Sequence, residues 1–155
     1  MQIEIERKFL VKDDGYKAQA VKSYGIRQGY IAHDSGRSVR VRIRDGKGIL
    51  TVKGPHLSET SRPEWEKELS MQEAEELFLL CKPGAVEKTR WVVPAGNLFF
   101  EVDEFHGDNE GLVLAEIELG SEDEPFERPS WLGEEVTGDK RYYNGYLARN
   151  PFKYW

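Results

Sequence analysis

Hydrophobic and polar residues alternate with a period of two along most of this chain, which is the spacing of half-buried strands. From Ile3 to Val11, the residues Ile3, Ile5, Arg7, Phe9 and Val11 share one face and Glu4, Glu6, Lys8 and Leu10 the other. Ile26 to His33 predicts a second strand, with Gln28 and Tyr30 opposite Arg27 and Ile31. In Arg37 to Arg44, Val39, Val41 and Ile43 alternate with Arg40, Arg42 and Arg44. The turn Asp45-Gly46-Lys47-Gly48 then returns the chain as a strand over Ile49 to Gly54. Ser61 to Leu69 sets Glu64, Glu66 and Glu68 against Trp65 and Leu69, with Pro63 near the start, where a missing donor is tolerated. Val86 to Val93 carries Lys88 and Arg90 on one face, Leu98 to Phe105 carries Glu101 and Asp103, and Leu112 to Leu119 carries Glu116 and Glu118. Three stretches predict helices instead. Tyr16 to Tyr24 is short and loosely amphipathic. Met71 to Cys81 has Ala74, Leu77, Phe78 and Cys81 at helical spacing and ends at Pro83-Gly84. A last helix, capped by Thr137 or Asp139, runs through Arg149 to Asn150-Pro151.

About eight strands with few helices predict a mainly β fold (α+β): an antiparallel β structure closed or nearly closed into a barrel, with a few helices packed outside. At 155 residues the chain is expected to form a single domain over 1–155. A 12% aromatic content excludes an intrinsically disordered chain. The excess of 28 acidic over 22 basic residues argues against a nucleic-acid partner. No apolar run reaches the roughly 20 residues of a membrane helix, and the single Cys81 cannot build a disulfide framework. A cytoplasmic monomer or homodimer with no membrane or nucleic-acid partner is the expectation.

The rows of like charge give the chain its chemistry. Neighbouring like charges on a strand face repel, so a row of arginines or glutamates needs a partner of opposite sign. If all charged faces point into one barrel, the lumen gathers Lys8, Arg40, Arg42, Lys53, Lys88 and Arg90 with Glu4, Glu6, Glu64, Glu66, Glu101, Asp103, Glu116 and Glu118. Burying so many charges is prohibitive unless they are paired, hydrated or bound to an ionic ligand. A polyanion accounts for the cations. A divalent metal, Mg2+ or Mn2+, accounts for the carboxylates, and a metal–phosphate complex satisfies both sets. No glycine-rich phosphate loop or dinucleotide fingerprint is present.

The segment Glu4-Ile5-Glu6-Arg7-Lys8 resembles the E-x-E-x-K motif of the CYTH superfamily, the triphosphate tunnel metalloenzymes. Arg40-x-Arg42, Lys53, Arg62-x-Glu64-x-Glu66, Lys88-x-Arg90, Glu101-x-Asp103 and Glu116-x-Glu118 follow in family order. The closing Gly133-Glu134-Glu135-Val136-Thr137 and Asp139-Lys140-Arg141-Tyr142 look like the short bacterial members. The resemblance implies an eight-stranded antiparallel closed β-barrel, a tunnel, in which Lys8, Arg40, Arg42, Lys53, Arg90 and Lys140 bind a small-molecule triphosphate and Glu4, Glu6, Glu116, Glu118 and Asp103 hold metal. Glu64, Glu66, Glu101 and Asp103 serve either as ligands or to orient neighbouring cations. Hydrolysis also needs a group that handles water. Lys88 fits as a base because Arg90 and Arg40 disfavour its charge, or else it is a further phosphate clamp. Tyr30 hydrogen-bonds that lysine, plugs a tunnel mouth or lines the wall. His33, His56 and His106 read as surface residues and Cys81 as helix core. Inorganic triphosphatase is the expected activity. The alternatives are a class IV-type adenylate cyclase, a nucleoside or thiamine triphosphatase and, from another class, a non-catalytic polyphosphate-binding module.

Overall fold

The computed structural model describes all 155 residues. Nine strands form one antiparallel sheet: β1 (Gln2–Val11), β2 (Lys22–Asp34), β3 (Arg37–Arg44), β4 (Lys47–Lys53), β5 (Ser61–Leu69), β6 (Val86–Ala95), β7 (Leu98–Phe105), β8 (Val113–Glu118) and β9 (Leu132–Glu135). Eight of them close a barrel in the order β1-β5-β4-β3-β2-β6-β7-β8, and β8 returns to β1. Strand β1 makes the closure possible by dividing its length. Gln2–Ile5 pair with β5 and Glu6–Leu10 with β8, while the short β9 pairs with the far end of β1 near Phe9 and Val11. Closure leaves few unpaired edges.

The larger apolar cluster lies outside this barrel rather than inside it. The outward residues Phe9 of β1, Phe100 and Val102 of β7, and Ala115 and Ile117 of β8 pack under Trp131, Leu132 and Tyr16. Helix α1 (Tyr16–Gln19) supplies Tyr16, and the connection before β9 supplies Trp131. On the opposite wall, Ala74, Leu77 and Phe78 of helix α2 (Met71–Phe78) cover Val41, Ile43 and Leu50. A reciprocal capping box starts α2: Ser70 accepts from the Glu73 amide and the Glu73 carboxylate accepts from the Ser70 amide. Inward-facing Val86, Phe105, Leu112 and Leu114 continue the faces that carry Lys88, Asp103 and Glu116. They pack against Tyr142 and against Leu147 of helix α3 (Asn144–Arg149), so the C-terminal segment fills that end of the barrel.

Three expectations change in the structure. The helix expected over Tyr16–Tyr24 ends at Gln19, because β2 already pairs with β6 from Lys22 onward. The final helix is split into a 3-10 turn over Lys140–Tyr142, capped by Asp139, and α3. Strand β9 is an addition to the eight.

Candidate active site

The alternation of each strand delivers its charged side chains to one cavity of about 570 Å³ inside the barrel. Glu4, Glu6 and Lys8 enter from β1, Arg40, Arg42 and Arg44 from β3, and Lys53 from β4. Glu64 and Glu66 come from β5, Lys88 and Arg90 from β6, Glu101 from β7, and Glu116 and Glu118 from β8. Lys140 reaches the cavity from the C-terminal segment. Of the residues expected to contribute, only Asp103 is absent from the lining. It is 1% exposed and sits behind the wall, where Arg90 donates to both of its oxygens at 2.7 and 2.9 Å and Lys88 Nζ lies 2.7 Å from Oδ2. Burial raises its pKa, but Arg90 and Lys88 outweigh that and leave the carboxyl below its ordinary value. Its oxygens are therefore committed to cations of the protein.

The cations show how much charge the lumen confines. Arg40 is 7% exposed; its Nη2 lies 3.4 Å from Thr51 Oγ1, and its buried Nε has no hydrogen-bond partner. Arg40 lines the cavity, and a guanidinium with donors left unpaired is a ready partner for an oxyanion. Arg42 donates to Gln28 Oε1 at 3.3 Å, and burial together with Arg40 and Arg90 disfavours its charged form. Lys88 is 2% exposed and donates to Asn144 Oδ1 at 3.0 Å. Burial, reinforced by Arg90 and Arg42 and opposed by Asp103, brings its pKa down to about 7. It is thus an amine that can hold or release a proton at neutral pH.

The carboxylates crowd one another in the same way. Burial, followed by Glu116 and Glu4, pushes Glu6 well above the ordinary carboxyl range. Burial also opposes ionisation of Glu116, but Lys8, Arg90 and a hydrogen bond from Glu6 hold it well below that range. The two carboxyls are thus pushed in opposite directions. Glu4 is raised, chiefly by burial, although Lys53 stands 2.8 Å away, and Glu118 is raised by burial and by Glu4 and Glu101. Buried carboxyls crowded together in this way form a donor set that a hard divalent cation fits. No three such groups are already drawn around one point. The remaining acids engage neighbours: Glu64 lies 3.5 Å from Lys53, Glu101 3.0 Å from Arg90, and Glu66 accepts from Thr51 at 3.0 Å.

Tyr30 lines the cavity but makes no hydrogen bond to Lys88. The register sets Ile26, not Tyr30, opposite Lys88, which leaves Tyr30 four residues or about 13 Å further along β2. It packs edge-on to His33 at 6.4 Å, close to Gly145. His33 is half-buried beside the cavity and His56 is exposed at its edge, and burial with nearby cations lowers both pKa values. His56 stacks on Tyr143 at 5.3 Å, and His106 stays outside, bonded to Thr89. Sequence reasoning did not single out Arg62, Gln28, Asn144 or Arg149 as site residues. Arg62 and Gln28 share the inward phase of their strands, so the signal was present; Asn144 and Arg149 lie on α3, which has no phase relation to any strand.

Comparison with known proteins agrees with this geometry over nearly the whole chain. An inorganic triphosphatase of Acetivibrio thermocellus is 50% identical over 151 residues, spanning 97% of this chain and 96% of that protein. An inorganic triphosphatase of Nitrosomonas europaea is 38% identical over 150 residues, spanning 94% and 96%. The crystal structure of an inorganic triphosphatase at 37% identity superposes with a TM-score of 0.65 and covers 94% of this chain and 97% of its own. Residues 2–143 match the CYTH domain family, and the chain belongs to it.

Proposed function

We propose that this chain hydrolyses inorganic triphosphate to diphosphate and phosphate inside the tunnel, with a divalent cation, Mg2+ or Mn2+. The observation that carries the reading is the joining of two incompatible charge rows in one cavity, with a buried arginine donor left unpaired among them. A triphosphate alone would answer the cations and leave the carboxylates, whereas a metal complex of it answers both. The inorganic triphosphatases at 50% and 38% identity support the same substrate.

In this reading Lys8, Arg40, Arg42, Lys53 and Arg90 hold phosphate oxygens, with Lys140 at the rim. Glu4, Glu6, Glu116 and Glu118 would hold the metal, which neutralises phosphate charge and draws electrons from the phosphorus. Asp103 acts one step back by fixing Arg90 and Lys88, and Glu64 and Glu101 fix Lys53 and Arg90 in the same manner. Lys88 takes a proton from the attacking water at Nζ. The water oxygen bonds to the terminal phosphorus, the bridging P–O bond breaks, and diphosphate leaves with that electron pair. Tyr30 walls the mouth. Phosphate release from tripolyphosphate, ATP and thiamine triphosphate, with cyclic AMP measured alongside, tests the reading. Tripolyphosphate turnover that needs added Mg2+ or Mn2+ is expected to dominate. Cyclic AMP as the main product, or binding of tripolyphosphate without turnover, would replace it with one of the rival functions.

A further inference from the structure

The side chain of Asn144, the first residue of α3, crosses to the barrel wall and meets two donors. Lys88 Nζ donates to Oδ1 at 3.0 Å, and Gln28 Nε2 donates to the same atom at 3.1 Å. The orientation of this amide follows from its neighbours. When Lys88 is protonated it only donates, so the atom facing it is the oxygen. A guanidinium also only donates, so Arg42 Nε, 3.3 Å away, fixes the oxygen end of Gln28 and turns its nitrogen toward Asn144. Lys88 and Gln28 are 2% and 0% exposed, so neither partner has room to swing away. That leaves Nδ2 as the one polar atom of the Asn144 side chain with no partner in the protein, on a residue that lines the tunnel cavity beside Lys88 and Arg42.

We infer that Asn144 is a substrate-binding residue, whose anchored amide presents Nδ2 as a neutral hydrogen-bond donor to a non-bridging phosphate oxygen next to Lys88. The inference rests on the triphosphate reading and adds to it a contact from the C-terminal segment. A neutral donor suits this position, since another cation beside Lys88 would depress its pKa further, whereas an amide binds the oxyanion without altering the charge.

A double-mutant cycle tests this, using bis(methylene)tripolyphosphate, which lacks a scissile P–O–P bond, with Mg2+ in a calorimetric titration. Asn144→Leu is expected to weaken binding about tenfold or more, the loss of one hydrogen bond to a charged group. It is expected to weaken binding by a similar factor again in a Lys88→Met background. If Asn144→Leu has no effect in that background, Asn144 acts only by holding Lys88 and the inference is overturned; an unchanged affinity in the wild-type background overturns it as well. Asn144→Ala, which removes the same bonds without adding bulk, is measured where Asn144→Leu fails to give the native circular dichroism spectrum. Wild-type protein that neither binds the analogue nor hydrolyses tripolyphosphate would instead bring down the triphosphate reading itself.

Discussion

Lys88 is where burial, charge and chemistry meet most closely. Its pKa of about 7 places the proton balance in the range where an enzyme at neutral pH uses it. The direction of the pH dependence follows from which form works. If the free amine accepts the water proton, kcat/KM rises with pH with a midpoint near 7. Bound triphosphate adds negative charge beside the ammonium, so the midpoint in kcat lies higher. Lys88→Arg keeps the charge but cannot give up a proton in this range, and turnover should fall by about 100-fold or more. Initial rates between pH 6 and 10 decide this; a flat profile, or normal turnover in Lys88→Arg, assigns Lys88 to phosphate clamping. Arg42 offers a second test at this scale. It lines the cavity beside Arg40, while Arg37 at the start of β3 is exposed outside it. Arg42→Ala should raise the Tm of ligand-free protein by relieving repulsion and lose most of the stabilisation that triphosphate confers, and Arg37→Ala should do neither. Equal ligand-induced Tm shifts in all three proteins would remove Arg42 from the site. The inward position of both residues was legible from the period of two alone. The partners of Lys88 were not, because Asn144 arrives from a helix and Asp103 differs from Glu101 only in its depth behind the wall.

Elements were legible where local pattern and tertiary pairing agree. The rows of β3 and the apolar spacing of α2 are local, and both elements form where the sequence predicts, although α2 ends at Phe78 rather than Cys81. The stretch after Gln19 reads as helix locally, but the seven-residue register Lys22–Gln28 against Val86–Val92 extends β2 backward and overrides the preference. Strand β9 has only four residues, too few to declare an alternation, and exists because β1 leaves an edge free beyond β5. Tight packing of α2 on the barrel gives an element-scale prediction. Gly48 of β4 faces α2, and a methyl group there would collide with the Ala74 side chain and sit 3.3 Å from Leu69 Cβ. Gly48→Ala should therefore lower stability by about 1–3 kcal/mol through overpacking. It should leave kcat/KM unchanged, because the clash is on the outer face. Urea unfolding with parallel kinetics checks both halves; wild-type stability would mean that α2 is not held close, and lost catalysis would mean that the outer face shapes the lumen.

At the scale of the whole molecule most of the barrel is inverted, with its larger apolar cluster outside and its ionic residues within. Stability of the empty protein is then set by two repelling populations, the cations around Arg40, Arg42 and Lys88 and the carboxyls around Glu4, Glu6 and Glu118. A divalent cation alone relieves the carboxyls but adds positive charge facing the arginines. A triphosphate alone relieves the arginines but adds negative charge facing the carboxyls. Bound together, each cancels the other's penalty, so the two ligands should bind with positive coupling of about 1–3 kcal/mol. Thermal scans with Mg2+ alone, bis(methylene)tripolyphosphate alone and both together read this directly, because stabilisation follows the occupancy of the folded state. The rise in Tm with both is expected to exceed the sum of the separate rises. Glu6→Gln removes one member of the crowded acidic set, and should shrink that excess more than it shrinks the rise with analogue alone. Additive shifts would mean that metal and phosphate occupy independent sites, and the two charge rows would then have to be explained separately.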